Sequence, residues 1–273
     1  MMKIQLHKSC TVLLASAALL FSATPAAAEE SADIDDRFSV SLGMFFADRG
    51  TRTRLDGDVP GSGTDVDLEG TLGFDKSDTV FRIDGYFRFN EKHRIDFSAF
   101  DLSRDASKQI DEEFIWDGET YPIDVLVKAS LDLQIYKLAY TWSFMQRDNG
   151  YLGVTAGLYV ADIGTSIAAE SIGQASSGGT TAPLPVLGLR GQYDFSEKWS
   201  LRGSAEFFAV DYDAYSGSLV DLYAGVDYQF SEHVAVGAGI NSVRIDVGVD
   251  KTNFDGNLDW RYDGALLFFK FDF

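Results

Sequence analysis

The sequence predicts an all-β chain closed into a transmembrane, antiparallel up-and-down barrel of about ten strands. Three observations carry that expectation. Apolar and polar residues alternate with a period of two over most of the length, the links between alternating segments are short and long in turn, and an export leader stands at the front.

The leader comes first. Lys3 and Lys8 give a positive start, Thr11 to Ser22 is an apolar run, and Ala26-Ala27-Ala28 precedes the acidic pair Glu29-Glu30. This is the layout of a cleaved secretory signal over residues 1–28, too short in its apolar part to span a bilayer as a helix. A short segment, 29–36, then leads into a barrel expected over 37–273. Cys10, the only cysteine, falls inside the leader, so the mature chain is expected to have no disulfide and no cysteine metal site. Losing Lys3 and Lys8 takes the formal charge from −19 to −21. Such an acidic chain is a poor partner for nucleic acid. No later segment is a long apolar run, whereas Gly (26), Phe (21) and Tyr (12) are abundant and Pro (5) is scarce, as many strands require.

The strands read in order. Phe38, Val40, Leu42, Met44 and Phe46 share one face of the first. Phe81, Ile83, Gly85, Phe87 and Phe89 oppose Arg82, Asp84, Tyr86, Arg88 and Asn90 in the second, and Ile95, Phe97 and Ala99 oppose Arg94, Asp96 and Ser98 in the third. Leu126 to Phe144 is the fourth, and the fifth places Leu152, Val154, Ala156, Leu158 and Val160 together. Leu187, Leu189, Tyr193 and Phe195 oppose Arg190, Gln192 and Asp194; Trp199, Leu201, Ala205 and Phe207 oppose Ser200, Arg202, Ser204 and Glu206. Val220 to Phe230 alternates against Asp221, Tyr223 and Asp227, Val234 to Val247 is the ninth strand, and the last ends at Phe273. In two strands the apolar phase switches, between Ile135 and Leu138 and near Asn241. A β-bulge accounts for such a switch, and so does a misplaced boundary.

Tight turns fall at 90–92, 147–149, 196–198 and 231–232, separated by longer polar links at 49–78, 105–125, 164–181, 212–217 and 248–257. Residues Thr64 to Phe74 have the pattern of a further hairpin, which leaves eight or twelve strands open. Ser176 to Thr181, with Gly178-Gly179, reads as a flexible loop tip.

Alternation defines two faces without saying which is inside. A soluble calycin-like barrel turns its apolar face inward and a membrane barrel turns it outward. The leader favours the membrane, as does a polar face that mixes Gly, Ser and Tyr with charges of both signs. So does the end of the chain, where Leu267, Phe269, Phe271 and Phe273 occupy alternate positions. Here the sequence resembles the bacterial outer-membrane β-barrel superfamily, in particular its small OmpA- and OmpW-like members, whose last strand ends in Phe after alternating apolar residues. The resemblance covers the mature chain in architecture and has this one local motif. It implies a Gram-negative outer-membrane location with both termini periplasmic, insertion by the barrel-assembly machinery reading the C-terminal residues, and outer-membrane lipid and lipopolysaccharide as partners.

The candidate site is the set of lumen-facing charges: Arg82, Asp84, Arg88, Arg94, Asp96, Arg190, Asp194, Arg202, Glu206 and Asp227. Paired and mutually neutralising, they would plug a narrow barrel; as a charged constriction, they would select small solutes. The expected role is therefore structural or loop-mediated interaction around a plugged lumen, with a small porin or a lipid-modifying enzyme as alternatives. Omptin-type proteases, barrel phospholipases and lipid A deacylases use a histidine base. Here His7 lies in the leader, and His93 and His233 adjoin short turns, which argues against those activities. No catalytic residue, metal site or cofactor is expected. The acidic loop residues, among them Asp58, Asp65, Asp67, Glu69, Asp111, Glu112, Asp117, Glu119, Asp246, Asp250 and Asp255, match no known cation loop.

Overall fold

In a computed structural model of the chain, residues 37–56, 62–212, 215–251 and 254–273 are described. The predicted leader, the 29–36 segment and Asp58 lie outside them, as do the side chains of Asp250 and Asp255. Thirteen strands follow in order: β1 (Phe38–Leu55), β2 (Val66–Asp67), β3 (Ser77–Asn90), β4 (His93–Gln109), β5 (Phe114–Trp116), β6 (Glu119–Tyr121), β7 (Leu126–Arg147), β8 (Gly150–Ala169), β9 (Gln174–Ser196), β10 (Trp199–Tyr212), β11 (Tyr215–Ser231), β12 (Val234–Lys251) and β13 (Phe254–Asp272).

Ten of these form the barrel wall. Each pairs antiparallel with its neighbour, and β13 closes on β1 from Ser39 opposite Asp272 to Leu55 opposite Gly256. The terminal Phe273 completes the closure, since its carbonyl accepts from the Arg37 and Phe38 amides at 3.0 Å. Short turns, Arg37 and Phe273 lie at one end of the barrel, here the terminal end; the longer excursions lie at the other, the loop end. Register shifts occur at Arg88/Asn90, Ser143/Met145, Trp199/Ser200 and Gln229/Ser231, all beside the short turns, where an extra residue lets a strand bend into its hairpin.

The wall is much taller than a bilayer requires. Its strands run from 14 residues in β3 to 23 in β9, whereas about 9–11 tilted residues cross the hydrocarbon. That height accounts for the two phase switches, which are not bulges: β7 keeps an unbroken register against β4, and against β8 from Lys128 to Ser143, while β12 keeps one against β13. Leu138, Tyr140, Trp142 and Phe144 face outward on β7, and further along the same face come Gln134, Asp132, Ser130 and Lys128. The inner face runs the opposite way, from Thr141 and Lys137 to Ile135, Leu133, Leu131 and Val127, all buried. On β12 the outward series Val236, Ala238, Ile240 gives way to Ser242, Arg244, Asp246, while inward Asn241 gives way to Val243 and Ile245. The pleat never slips; its surroundings invert. At the terminal end the barrel is apolar outside and polar inside, and at the loop end it has the arrangement of a soluble barrel.

The same height corrects the link assignments. Ser176 to Thr181 is no loop tip, because it lies within β9 and pairs with β8, Gly178 opposite Thr165 and Gly179 opposite Gly164. Thr64 to Phe74 supplies the two-residue β2, which pairs with Arg52 and Thr53 of β1 and adds no crossing strand. The 105–125 link shortens as β4 extends into it to Gln109, and its remainder holds the β5–β6 hairpin. Asp117 and Gly118 turn that hairpin with φ of 54° and 76°, a two-residue turn that the Asp-Gly sequence favours.

Candidate functional site

The barrel interior is layered along its axis, and its polar layer holds the candidate site. All ten predicted charges point into the barrel: Arg82, Arg88, Arg94, Asp96, Asp194, Glu206 and Asp227 are buried, and Asp84, Arg190 and Arg202 are partly so. They are there because period-two alternation on β3, β4, β9, β10 and β11 places every second side chain inside.

Six of them, Arg82, Asp84, Arg94, Asp96, Arg190 and Glu206, belong to one connected network. Arg82 pairs with Asp84 at 2.9 Å and donates to Asn241 Oδ1 at 2.6 Å; Asn241 Nδ2 donates to Asp221 at 2.6 Å. The Tyr159 hydroxyl joins Asp221 to Glu206, and Glu206 pairs with Lys137 and, at 2.9 Å, with Arg190. Arg190 reaches Asp96 at 3.7 Å, and Asp96 also pairs with Arg94 at 3.0 Å and accepts from the Thr141 hydroxyl at 2.5 Å. The chain of contacts thus crosses the lumen from β3 through β12, β11, β8, β10 and β9 to β4. Arg202 and Asp227 make a separate two-contact pair at 2.5 and 2.9 Å, with the guanidinium over Phe268. Arg94 sits between the rings of Tyr86 and Tyr151, 4.7 and 4.8 Å from their centroids.

The ionic set is larger than the ten predicted charges: alternation puts Tyr159, Asp221, Lys270 and Asp272 on the same face, whereas Lys137 and Asn241 fall where the phase switches. Lys137, Tyr159, Asp221, Asn241, Lys270 and Asp272 belong to the interior as well, the last two paired at 3.0 Å. With them, Arg82, Arg88, Arg94, Lys137, Arg190, Arg202 and Lys270 face Asp84, Asp96, Asp194, Glu206, Asp221, Asp227 and Asp272 among the described residues. The layer is electrically balanced. Its free space is a cavity of about 80 Å³ lined by Ser39, Ser41, Tyr86, Gln192, Tyr223 and the charged groups, room for a few waters.

Above it the lumen is filled mainly by apolar side chains. Phe45, Val80, Phe100, Leu133, Ile135, Leu219, Trp260 and Tyr262 fill a first apolar layer; Phe45, Phe100 and Trp260 each stack on Tyr262. A second apolar layer joins the mouth to the loops, with Phe74, Ile110, Phe114, Trp116 and Tyr121 packed on Val127, Ala129 and Leu131 of β7. A buried pair latches the first loop there. Arg104 contacts Glu69 at 2.9 Å and donates to the Asp75 carbonyl at 2.5 Å, while Glu69 accepts from the Thr51 amide at 2.8 Å. Ser176 and Gln174 of β9 donate to Asp117 and Glu119 at the hairpin turn.

The acidic loop residues are largely engaged with protein groups. Asp67 accepts from the Gly70 amide, Glu112 from Thr71, and Asp111 from Lys108, which holds its carboxyl below the usual range. Among the described residues no group of three or more His, Cys, Asp or Glu is arranged to hold a metal. His93 and His233 sit at short turns of the terminal end, and His93 contacts the Tyr140 hydroxyl.

Fold and lumen together define a closed, ten-stranded antiparallel β-barrel with a filled interior and an apolar outer belt at its terminal end. Among solved structures, the chain is similar to the outer-membrane protease OmpT from Escherichia coli, with a TM-score of 0.57 and 11% identity over 88% of this chain and 98% of that one. Weaker likenesses are to OprG from Pseudomonas aeruginosa (TM-score 0.38, 13% identity, 86% and 95% of the two chains) and to Ail of Yersinia pestis (0.35, 11%, 84% and 99%). The likeness to OmpT is one of fold alone. Neither a family model nor a curated protein sequence matches the chain.

Proposed function

We propose that this chain is a bacterial outer-membrane protein whose barrel is sealed, and that its role is structural or is exercised through the loop end. The observation that carries the reading is the double closure of the lumen: a balanced ionic layer, then apolar layers under a latched hairpin. Ions cross a tightly packed layer several side chains deep at high cost, because its apolar groups cannot replace their hydration and its few charges, Arg49 with Asp78 and Arg104 with Glu69, are already paired. The outward apolar belt from Phe38 to Phe46 on β1, and its counterparts around the wall, fits hydrocarbon, and the antiparallel ladder runs round the wall to close β13 on β1. Both termini then lie in the periplasm, Leu267, Phe269, Phe271 and Phe273 present the assembly signal, and outer-leaflet lipid meets the belt.

The reading also excludes histidine-dependent chemistry. His93 and His233 are at the periplasmic end in this orientation, far along the strands from the loop end. Purified protein in planar bilayers is the test. Silence at all voltages agrees with a sealed lumen; reproducible unitary openings favour a small solute channel instead. Lipid A from a deletion strain, compared by mass spectrometry, is expected to be unchanged, and an altered acylation pattern would establish a lipid-modifying role.

A further inference from the structure

The β8–β9 hairpin stands taller than the strands beside it. β9 pairs with β8 along its length, from Gln174 opposite Ala169 to Tyr193 opposite Gly150, whereas β10 ends at Tyr212. In the register that sets Phe207 opposite Leu187, Tyr212 would lie level with Ala182, so Gln174 to Thr181 rise past the end of β10. In an antiparallel sheet alternate residues direct both backbone groups to the same neighbour. The Asp194 amide donates to the Asn149 carbonyl on the β8 side, and the β8–β9 register is unbroken. Even-numbered residues of β9 therefore bond β8, and Ala175, Ser177, Gly179 and Thr181 turn amide and carbonyl away from it. Among the described residues no backbone group pairs with them on that side.

A free strand edge is ordinarily guarded by lysine, proline, a bulge or a covering element. From Gln174 to Ala182 there is no charged residue, no proline and no bulge, and Ser177 to Thr181 are all exposed. The overhang also clears the apolar belt. Thr181 lies beside Asp162, the first polar outward residue of β8 past the belt, and its hydroxyl donates to that carboxylate at 3.3 Å. On the inner side Gln174 and Ser176 donate to Glu119 and Asp117, so the lid hairpin props the strand from behind. The edge is extended, held in place and open to water.

We infer that this edge pairs with the same edge of a second copy of the chain, carried on a facing membrane. The residues specify the partner. Two copies form an antiparallel ladder about a two-fold axis through Gly178, with Ala175 meeting Thr181 and Ser177 meeting Gly179, each pair exchanging two hydrogen bonds. This register uses every free amide of the overhang and reaches neither Pro183 nor Pro185. The pairs between, Gly178 with Gly178, Ser176 with Thr180 and Gln174 with Ala182, are uncharged, so two acidic chains bring no like charges into the ladder. The facing membrane follows from geometry. Barrel strands tilt about 35–45° from the normal, so two copies in one bilayer hold their β9 strands at most about 90° apart, never antiparallel. Only a copy with its axis inverted presents β9 in the opposite sense. This rests on the membrane reading above and gives its loop end a partner.

The test uses protein in two populations of phosphatidylcholine vesicles, one doped with a biotinylated lipid and one with a fluorescent lipid. Mixing is expected to cluster them, so that fluorescence follows biotin capture. In a Cys10→Ser background, Gly178→Cys puts a thiol on the axis, where an added Cβ meets nothing within 4 Å. Opposed Cα atoms about 4.5 Å apart there suit a disulfide, so oxidation is expected to give a dimer. Gly50→Cys, equally open on β1, is expected to give none. Ser177→Pro/Thr181→Pro removes edge donors without touching a bond to β8, as Pro183 and Pro185 already do, and is expected to lower clustering about tenfold while heat-modifiable migration stays native. Dimer without clustering would place the contact within one bilayer and overturn the inference, as would clustering that survives the proline pair. Trapping of an added peptide of residues 174–182 carrying the same cysteine, with no dimer, would show an edge for foreign strands instead. Protein that floats with the vesicles yet neither clusters nor cross-links overturns the edge contact alone. Protein that does not float contradicts the membrane reading, and this contact with it.

Discussion

Ile135 and Lys137 point into the same lumen from neighbouring inward positions of β7, and the barrel changes character between them. Lys137 joins the ionic layer through Glu206, whereas Ile135 packs in the first apolar layer with Phe100 and Leu133. On the outer face the change is mirrored between Leu138 and Gln134. Solvent outside and packing inside exchange places at one height.

The exchange predicts opposite responses to the same substitution on one face of β1. Leu42, mid-belt, replaced by Arg should lose about 2–4 kcal/mol, the cost of a cation near the bilayer midplane. Gly50, outward on the same strand with open space around its Cβ position, should accept Arg with little change. Reversible unfolding in lipid vesicles measures both.

The ionic layer should behave as a unit. Glu206→Gln leaves Lys137 and Arg190 without their shared carboxylate, and breaking a buried pair in this way costs about 3–5 kcal/mol. Lys137→Met with Glu206→Leu should cost less than the sum of the two single changes, because they share one interaction. An additive double mutant would mean the contacts are independent.

How much of this was legible depends on which solvent a segment meets. The terminal halves of all ten strands, the closure and the inward placement of the ten predicted charges follow from alternation read with one polarity. The loop halves do not, because the same alternation continues there with its meaning reversed, so 49–55 and 174–181 looked like loop. Lys137 and Asn241 were missed for the same reason: each sits where the polarity turns over. The β5–β6 hairpin carried a readable signal in Asp117-Gly118, hidden by the acidic residues around it.

The lid hairpin should loosen in alkali. Burial, and then the charges of Glu119 and Asp117, push the Tyr121 phenol above its ordinary value of about 10. The folded hairpin therefore holds the proton more tightly than an unfolded chain does. Its stabilisation is complete below about pH 10 and is lost as pH rises through the folded value. The phenolate absorbance difference between native protein and Tyr121→Phe should titrate late. Because the Tyr121 hydroxyl is buried with no hydrogen-bond partner, Tyr121→Phe should not destabilise the hairpin below that range.

Removing Phe273 should slow assembly beyond the loss of one side chain. Its backbone bonds both Arg37 and Phe38 across the closing seam, and its ring meets Phe38 at 6.3 Å. Heat-modifiable migration after pulse labelling in cells should show a reduced folded fraction, and unchanged kinetics would remove the assembly role assigned to the terminus.

The most direct test of a barrel wrapped in lipid at one end and in water at the other is a cysteine scan of the outward face of β1. Cys10 is the one native cysteine, and a Cys10→Ser background removes it. In proteoliposomes, a membrane-impermeant maleimide should leave Leu42→Cys, Met44→Cys and Phe46→Cys unlabelled and react fully with Asp48→Cys, Gly50→Cys and Arg52→Cys. Uniform labelling along the strand would contradict the account.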